Sequence, residues 1–158
     1  MKRLTTKKDW ENKYASFKGR MLSKFVGAAS KSFYFNDLLR LVKPYLKPKS
    51  KIIEIGCTPG TVLINLSKAL GLEPYGVEYT QEGVAITKQN FVKLGYNPKN
   101  ITHADFFDQE FQVRHKAEYD VVFSRGFIEH FDDVKRVIQL HVNLLKEGVC
   151  VDIGSAKL

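Results

Sequence analysis

Acidic residues and glycines stand at the ends of three short apolar runs in this chain. Glu54, Gly56 and Gly60 close the first run, just before a helical pattern begins. A turn at such a place lets the backbone approach a ligand closely, because the N-terminus of the next helix offers free N–H groups. Glu78 and Asp105 end the two following runs. Glu54 could be a buried strand carboxylate, and Glu78 and Asp105 taken alone would be surface acids, but their positions at the ends of these runs make them candidates for binding a ligand.

The spacing of the glycines narrows the class of ligand. Dinucleotide-binding folds carry G-x-G-x-x-G at this point, and the P-loop carries a lysine followed by serine or threonine. Gly56 and Gly60 fit neither pattern. A nicotinamide-dependent enzyme is therefore a disfavoured alternative. His103, His115 and His141 show no metal-ligand spacing, so no metal site is expected.

Strand and helix patterns alternate along the rest of the chain, and they must position these residues. Strands are predicted at 52–55, 74–78, 101–103, 119–123 and 149–153. Thr80 and either Asp132 or Asp133 are predicted to cap helices. The alternation predicts an α/β fold with a doubly wound parallel sheet. Ligands bind beyond the carboxyl ends of the strands of such sheets, which directs attention to 56–60, 78–80, 103–106 and 124–131.

These motifs, in this order, resemble those of the class I (Rossmann-like) S-adenosylmethionine (SAM)-dependent methyltransferases of the small-molecule type. The family's first motif, E/D-x-G-x-G-x-G, is matched by Glu54, Gly56 and Gly60. The segments 124–133 and 144–148 resemble the post-strand-four segment and the LLK-x-G motif before strand five. The resemblance runs from about residue 36 to 148 and implies the strand order 3-2-1-4-5.

The resemblance also implies a cofactor, SAM, and the residues that bind it. Glu78 matches the acidic residue that binds both ribose hydroxyls, and Asp105 matches the one that accepts from the adenine amino group. His130 is a candidate general base, because histidine titrates near neutrality, although it could simply pack at a helix start. Cys57 is interpreted as a small buried filler rather than a nucleophile. The predicted cofactor-binding set is Glu54, Gly56, Cys57, Thr58, Gly60, Glu78, Tyr79, Asp105, Phe106 and Ser124.

Two departures from the family pattern stand out. Thr58 occupies the place of the middle glycine, where a β-branched residue would be an outlier if φ were positive. Replacement of Thr58 by glycine is therefore expected to strengthen SAM binding. The second departure is length, since the family fold has seven strands and this sequence has room for five. We therefore expect a C-terminally truncated domain whose exposed strand five favours self-association.

The N-terminal third of the chain differs in charge from the remainder. Residues 1–51 hold 14 Lys and Arg against 3 Asp and Glu, and residues 52–158 hold 11 against 14. We interpret the excess as solvated helix faces in preference to a nucleic-acid surface. Trp10, Tyr14, Phe17, Met21 and Phe25 form a helical stripe, interpreted as core rather than pocket. The predicted division is an N-terminal helical segment, 1–48, and a SAM-binding domain, 49–158.

The combined prediction is an enzyme that transfers the SAM methyl group to a small-molecule acceptor. The alternative is a truncated, non-catalytic SAM-binding remnant or interaction module. Segment 124–127 lacks the Asn/Asp-Pro-Pro-Tyr/Phe tetrad, which argues against methylation of nucleobase amino groups, while RNA methylation elsewhere stays open. The two cysteines form no disulfide framework, and no apolar run approaches the length of a membrane span. The expected location is the cytoplasm.

Overall fold

A computed structural model describes residues 2–17 and 33–153 of the chain. The strands are β1 (Lys51–Ile55), β2 (Glu73–Glu78), β3 (Ile101–His103), β4 (Tyr119–Arg125) and β5 (Leu145–Ile153). The helices are α1 (Lys7–Phe17), α2 (Phe33–Val42), α3 (Thr61–Leu70), α4 (Gln81–Lys93), α5 (Gln109–Arg114) and α6 (Val134–Asn143). Short 3-10 turns occur at Lys43–Tyr45, Pro98–Asn100 and Ile128–His130.

The five strands form one parallel sheet in the order β3-β2-β1-β4-β5. The register places Ile52 of β1 between Pro74 of β2 and Val121 of β4. The predicted strand order is thereby confirmed. The order reverses between β1 and β4, so the segments that follow these two strands meet at one edge of the sheet.

Apolar side chains cover both faces of the sheet, which explains why β1 reads as a continuous apolar run. Ile52 packs in a cluster with Phe35 of α2 and Leu63 of α3. Ile53, one residue on, packs in a second cluster with Phe111 of α5 and Val137 of α6. Successive strand residues point to opposite faces, so the two clusters form the two layers of core on either side of the sheet.

Local signals account for several helix ends. Thr80 caps α4, its hydroxyl accepting from the Gly83 N–H at 3.1 Å. Asp133 caps α6, its carboxylate accepting from the Arg136 N–H at 3.0 Å. Gly71 ends α3 in the left-handed conformation, with φ of +67°. The predicted caps at Thr80 and Asp133 are confirmed.

Strand five begins earlier than the sequence predicts. The LLK-x-G segment is expected to precede the strand, but α6 ends at Asn143 and β5 starts at Leu145. Leu145 pairs with Tyr119 of β4, across a register shift that lies between Tyr119 and Val121. Pairing with β4 therefore includes residues 145–148 in the sheet. Helix α5 was also not predicted, because its six residues are too short to show helical periodicity.

Helix α1 ends at Phe17 within the described part of the chain, and Met21 and Phe25 of the predicted stripe lie outside the described residues. The division into 1–48 and 49–158 stays a prediction. Within residues 2–17 and 33–153, no helix combines the length and apolar character that a membrane span requires.

Candidate cofactor site

A cavity of about 420 Å³ lies beyond the carboxyl ends of β1 to β4. Its wall consists of the segments that follow these strands, together with residues from the N-terminal part of the chain. Of the predicted cofactor set and the candidate base, seven residues line it: Gly56, Thr58, Glu78, Tyr79, Asp105, Phe106 and His130. The other lining residues are Arg3, Thr5, Trp10, Tyr14, Pro59, Val77, Ile86, Ala104, Phe107, Arg125, Gly126, Phe127 and Phe131.

The turn after β1 requires glycine at both of its predicted positions. Gly56 has φ of +69°, and a Cβ there would lie 3.1 Å from Cδ2 of Phe127. Gly60 has φ of +81°, and a Cβ there would lie 2.9 Å from Cγ2 of Thr87. The Gly56 N–H donates to the Val77 carbonyl at 3.0 Å, which ties the turn to β2. The backbone of the turn is therefore held in place as part of the cavity wall.

Glu78 places a buried carboxylate in the wall of the cavity. The residue is 2% exposed. Its Oε1 accepts from the Thr80 N–H at 2.8 Å and from the Thr80 hydroxyl at 2.7 Å. Its Oε2 accepts from the Thr58 hydroxyl at 3.0 Å. Because a carboxylate has about four acceptor positions, these bonds orient the group and leave capacity for a ligand.

Thr58 does not adopt the strained conformation that its place in the motif suggested. The non-glycine residues with positive φ in the described part of the chain are Lys49 and Ala117, and Thr58 is not among them. The concern that a β-branched residue sits at positive φ was therefore wrong. Residue 58 faces the cavity in a conformation that threonine tolerates, and its hydroxyl is used.

Asp105 is held between the backbone and an arginine from the other end of the chain. Its Oδ1 accepts from the Phe107 N–H at 3.0 Å. Its Oδ2 is in an ion pair with Arg3. The Arg3 guanidinium also lies over the rings of Tyr79 and Phe107, with its Cζ 5.1 and 5.3 Å from their centroids. Arg3 therefore occupies the space beside the carboxylate that the sequence assigns to adenine.

Residues 2–6, the N-terminal strap, run beside the segment that follows β4. Arg3 forms an antiparallel bridge with Phe131. The Leu4 N–H donates to the His130 carbonyl at 2.8 Å, and the Lys2 N–H donates to Oδ1 of Asp132 at 2.7 Å. The strap is thereby tied to this segment, and its residues Arg3 and Thr5 line the cavity.

Two aromatic residues of α1 also line the cavity. The Trp10 ring meets the His130 ring edge to face, with centroids 5.0 Å apart. Tyr14 is 8% exposed, and burial raises the pKa of its hydroxyl well above its ordinary value, so it stays a neutral donor. The stripe residues Trp10 and Tyr14 therefore line the cavity, where the sequence favoured core. A helical stripe shows which face is buried but not what covers it.

Four predicted residues lie behind the wall instead of lining it: Glu54, Cys57, Gly60 and Ser124. Burial raises the pKa of Glu54 to about 8, so its carboxyl is protonated at neutral pH. Among the described residues, its Oε2 has no hydrogen-bond partner. Burial also raises the pKa of the Cys57 thiol well above its ordinary value, which supports the interpretation of Cys57 as a filler. No His, Cys, Asp or Glu cluster in the described ranges could hold a metal ion.

The sheet order and the cavity at its carboxyl edge define a Rossmann-like SAM-dependent methyltransferase fold. A family profile described as "Methyltransferase domain" matches residues 28–152, and the chain belongs to this family. SAM is the cofactor of this class. No curated protein sequence matches the chain.

Solved structures share this fold at low sequence identity. A protein from Methanococcus maripaludis, assigned to the SAM-dependent methyltransferases, has a TM-score of 0.69 at 19% identity, over 98% of this chain and 67% of its own. A geranyl diphosphate methyltransferase in complex with SAM has a TM-score of 0.64 at 17% identity, over 77% of this chain and 48% of its own. A Thiobacillus denitrificans SAM-dependent methyltransferase in complex with S-adenosyl-L-homocysteine has a TM-score of 0.58 at 17% identity, over 75% of this chain and 46% of its own. The chain spans about two thirds of the first protein and about half of the other two.

Proposed function

We propose that the cavity binds SAM and that the chain supports transfer of its methyl group to a small-molecule acceptor. The observation that carries this proposal is the buried Glu78 carboxylate, which faces the same cavity as the Gly56 turn and Asp105. A buried charge is costly unless it is satisfied. Glu78 is oriented by three hydrogen bonds and still faces open space. A ligand with a vicinal diol fits this arrangement.

The residues of the wall fit the other parts of SAM. The backbone of the Gly56–Gly60 turn would approach the methionine portion, because Gly56 lines the cavity and has no side chain to hold a ligand away. Asp105 would accept from the adenine amino group, with the rings of Tyr79 and Phe106 beside the base. When bound, the cofactor supplies an electrophilic methyl group on a sulfonium. The protein's contribution is to hold that methyl group and the acceptor in line.

The acceptor would lie under the strap and α1, among the rings of Trp10, Phe127 and Phe131. A cavity of about 420 Å³ suits a small molecule better than a polymer such as RNA. His130 lines this part of the cavity and is our candidate for the group that takes the acceptor's proton. A SAM-binding module without activity is the alternative.

Calorimetric titration with SAM, S-adenosylhomocysteine and NAD tests the proposal. We expect the two adenosyl ligands to bind and NAD not to bind. Glu78→Ala should weaken SAM binding by about 1–3 kcal/mol, since it leaves ligand hydroxyls without an acceptor. Glu110→Ala is the matched control, because the Glu110 side chain is 81% exposed, pairs with Arg114 and does not line the cavity.

Equal SAM affinity in Glu78→Ala and the parent would refute the assignment of Glu78. Preference for NAD would refute the cofactor. A transfer assay with labelled methyl groups across O, N and C nucleophiles then separates the enzyme from the binding module. Binding without transfer to any acceptor would support the module.

A further inference from the structure

Thr58 donates a hydrogen bond to Glu78 in the cavity wall. Its hydroxyl lies 3.0 Å from Oε2 of the Glu78 carboxylate. A hydroxyl has one proton to donate, and here that proton goes to the carboxylate. Both residues line the cavity.

The contact of Thr58 with Thr87 is secondary. The two hydroxyl oxygens are 3.4 Å apart, whereas the Thr87 hydroxyl lies 2.9 Å from the Gly83 carbonyl. The single proton of Thr87 goes to the nearer acceptor.

We propose that Thr58 is a positioning residue, which holds the Glu78 carboxylate in the orientation that receives the ribose hydroxyls of the cofactor. This inference rests on the proposed function of the cavity. It explains the threonine at a place where the family motif carries glycine. A glycine at position 58 would have no hydroxyl to donate to the Glu78 carboxylate.

The side chains of Thr58, Glu78 and Thr80 converge on Gly83 at the start of α4. A Cβ at Gly83 would lie 2.5 Å from Oγ1 of Thr58, 2.6 Å from Oγ1 of Thr80 and 2.8 Å from Cγ of Glu78. A residue without a side chain at position 83 therefore leaves room for this group of hydrogen-bonded side chains.

The two oxygens of Glu78 also differ in their support. Among the described residues, Oε1 accepts from both donors of Thr80, whereas Oε2 accepts from the Thr58 hydroxyl. Loss of the Thr58 hydroxyl would leave this buried oxygen without that donor. The carboxylate would then turn or take up solvent, and its alignment with the diol would suffer.

The test compares Thr58→Val, which keeps the branched shape, with Thr58→Ser, which keeps the hydroxyl. The probes are S-adenosylhomocysteine and its analogue lacking the ribose 2′-hydroxyl, titrated by calorimetry. We expect Thr58→Val to bind S-adenosylhomocysteine about tenfold more weakly, as loss of a bond to a charged group implies. It should also lose most of the parent's preference for the full ribose. Thr58→Ser should retain both.

Two results would overturn the inference. Thr58→Val could keep the parent's affinity and preference, or Thr58→Ser could lose as much as Thr58→Val, which would mean that Thr58 only packs. Failure of the proposed function would give a different result, because the parent itself would then bind neither probe. That result would overturn the proposed function and this inference together. Thermal unfolding of each variant separates a loss of the fold from a loss of the hydroxyl.

Discussion

Arg3 of the strap competes with the proposed ligand for the Asp105 carboxylate, because the two side chains form an ion pair. If Asp105 accepts from adenine, the Arg3 side chain must move away from Asp105 when the cofactor binds. Arg3→Ala removes that competition and should therefore tighten the binding of ligands that carry adenine. The perturbation is local, because the backbone hydrogen bonds of Lys2 and Leu4 to the segment after β4 do not involve the Arg3 side chain.

The size of the effect follows from the contacts that Arg3 makes. Both side chains of the ion pair are 32% exposed, so solvent screening limits its contribution to about 1 kcal/mol at most. The contacts with the rings of Tyr79 and Phe107 add about 0.5–1 kcal/mol. The sum of about 0.5–2 kcal/mol corresponds to a gain in affinity of about 2-fold to 30-fold. The upper figure applies only if the ligand displaces every one of these contacts.

Adenosine is the appropriate probe, because it is uncharged and contains only the part of the cofactor that Arg3 opposes. Calorimetric titrations at low and high salt should show that the parent gains affinity as salt screens the ion pair, while Arg3→Ala does not. Lys2→Ala is the control, since it removes the same charge and keeps the Lys2 backbone bond to Asp132. Weaker adenosine binding by Arg3→Ala would refute the reasoning and show that Arg3 closes over the bound base.

Two further predictions concern the wall behind the cavity. Burial raises the pKa of Glu54 from 4.5 to about 8. The parent should therefore lose stability as the pH rises from the pKa of the unfolded state through that of the folded state. Glu54→Gln should flatten this dependence, which denaturant unfolding at pH values from about 4 to about 9 would measure. An unchanged slope would contradict the burial argument. Gly56→Ala should lower stability by about 1–2 kcal/mol through its positive φ and should also impair SAM binding by displacing Phe127. Gly95→Ala is its control, because Gly95 has φ of +80° and nothing within 4 Å of an added Cβ, so it should lose stability without losing SAM affinity.

Much of the fold follows from local features of the sequence. The β-branched runs and the caps at Thr80 and Asp133 depend on residues a few positions apart, and the structure has them where the sequence predicts. The positions of Glu78 and Asp105 after β2 and β3 follow from the same reasoning, because parallel strands bring their carboxyl ends to one edge of the sheet. Composition and periodicity were sufficient for this much, since secondary structure responds to neighbours along the chain.

Other features were decided by contacts between distant residues. Arg3 and Asp105 are 102 positions apart, and the periodicity of the sequence does not indicate that their side chains are in contact. The start of β5 depends on its pairing with β4, and a β-strand can extend into residues that also suit a helix end. Thr58 departs from the motif as a sequence, yet its hydroxyl has a partner because Glu78 and Gly83 come within reach of it. The sequence by itself determined the elements and the acidic residues of the site, whereas only tertiary packing decided what covers the cavity and how its carboxylates are held.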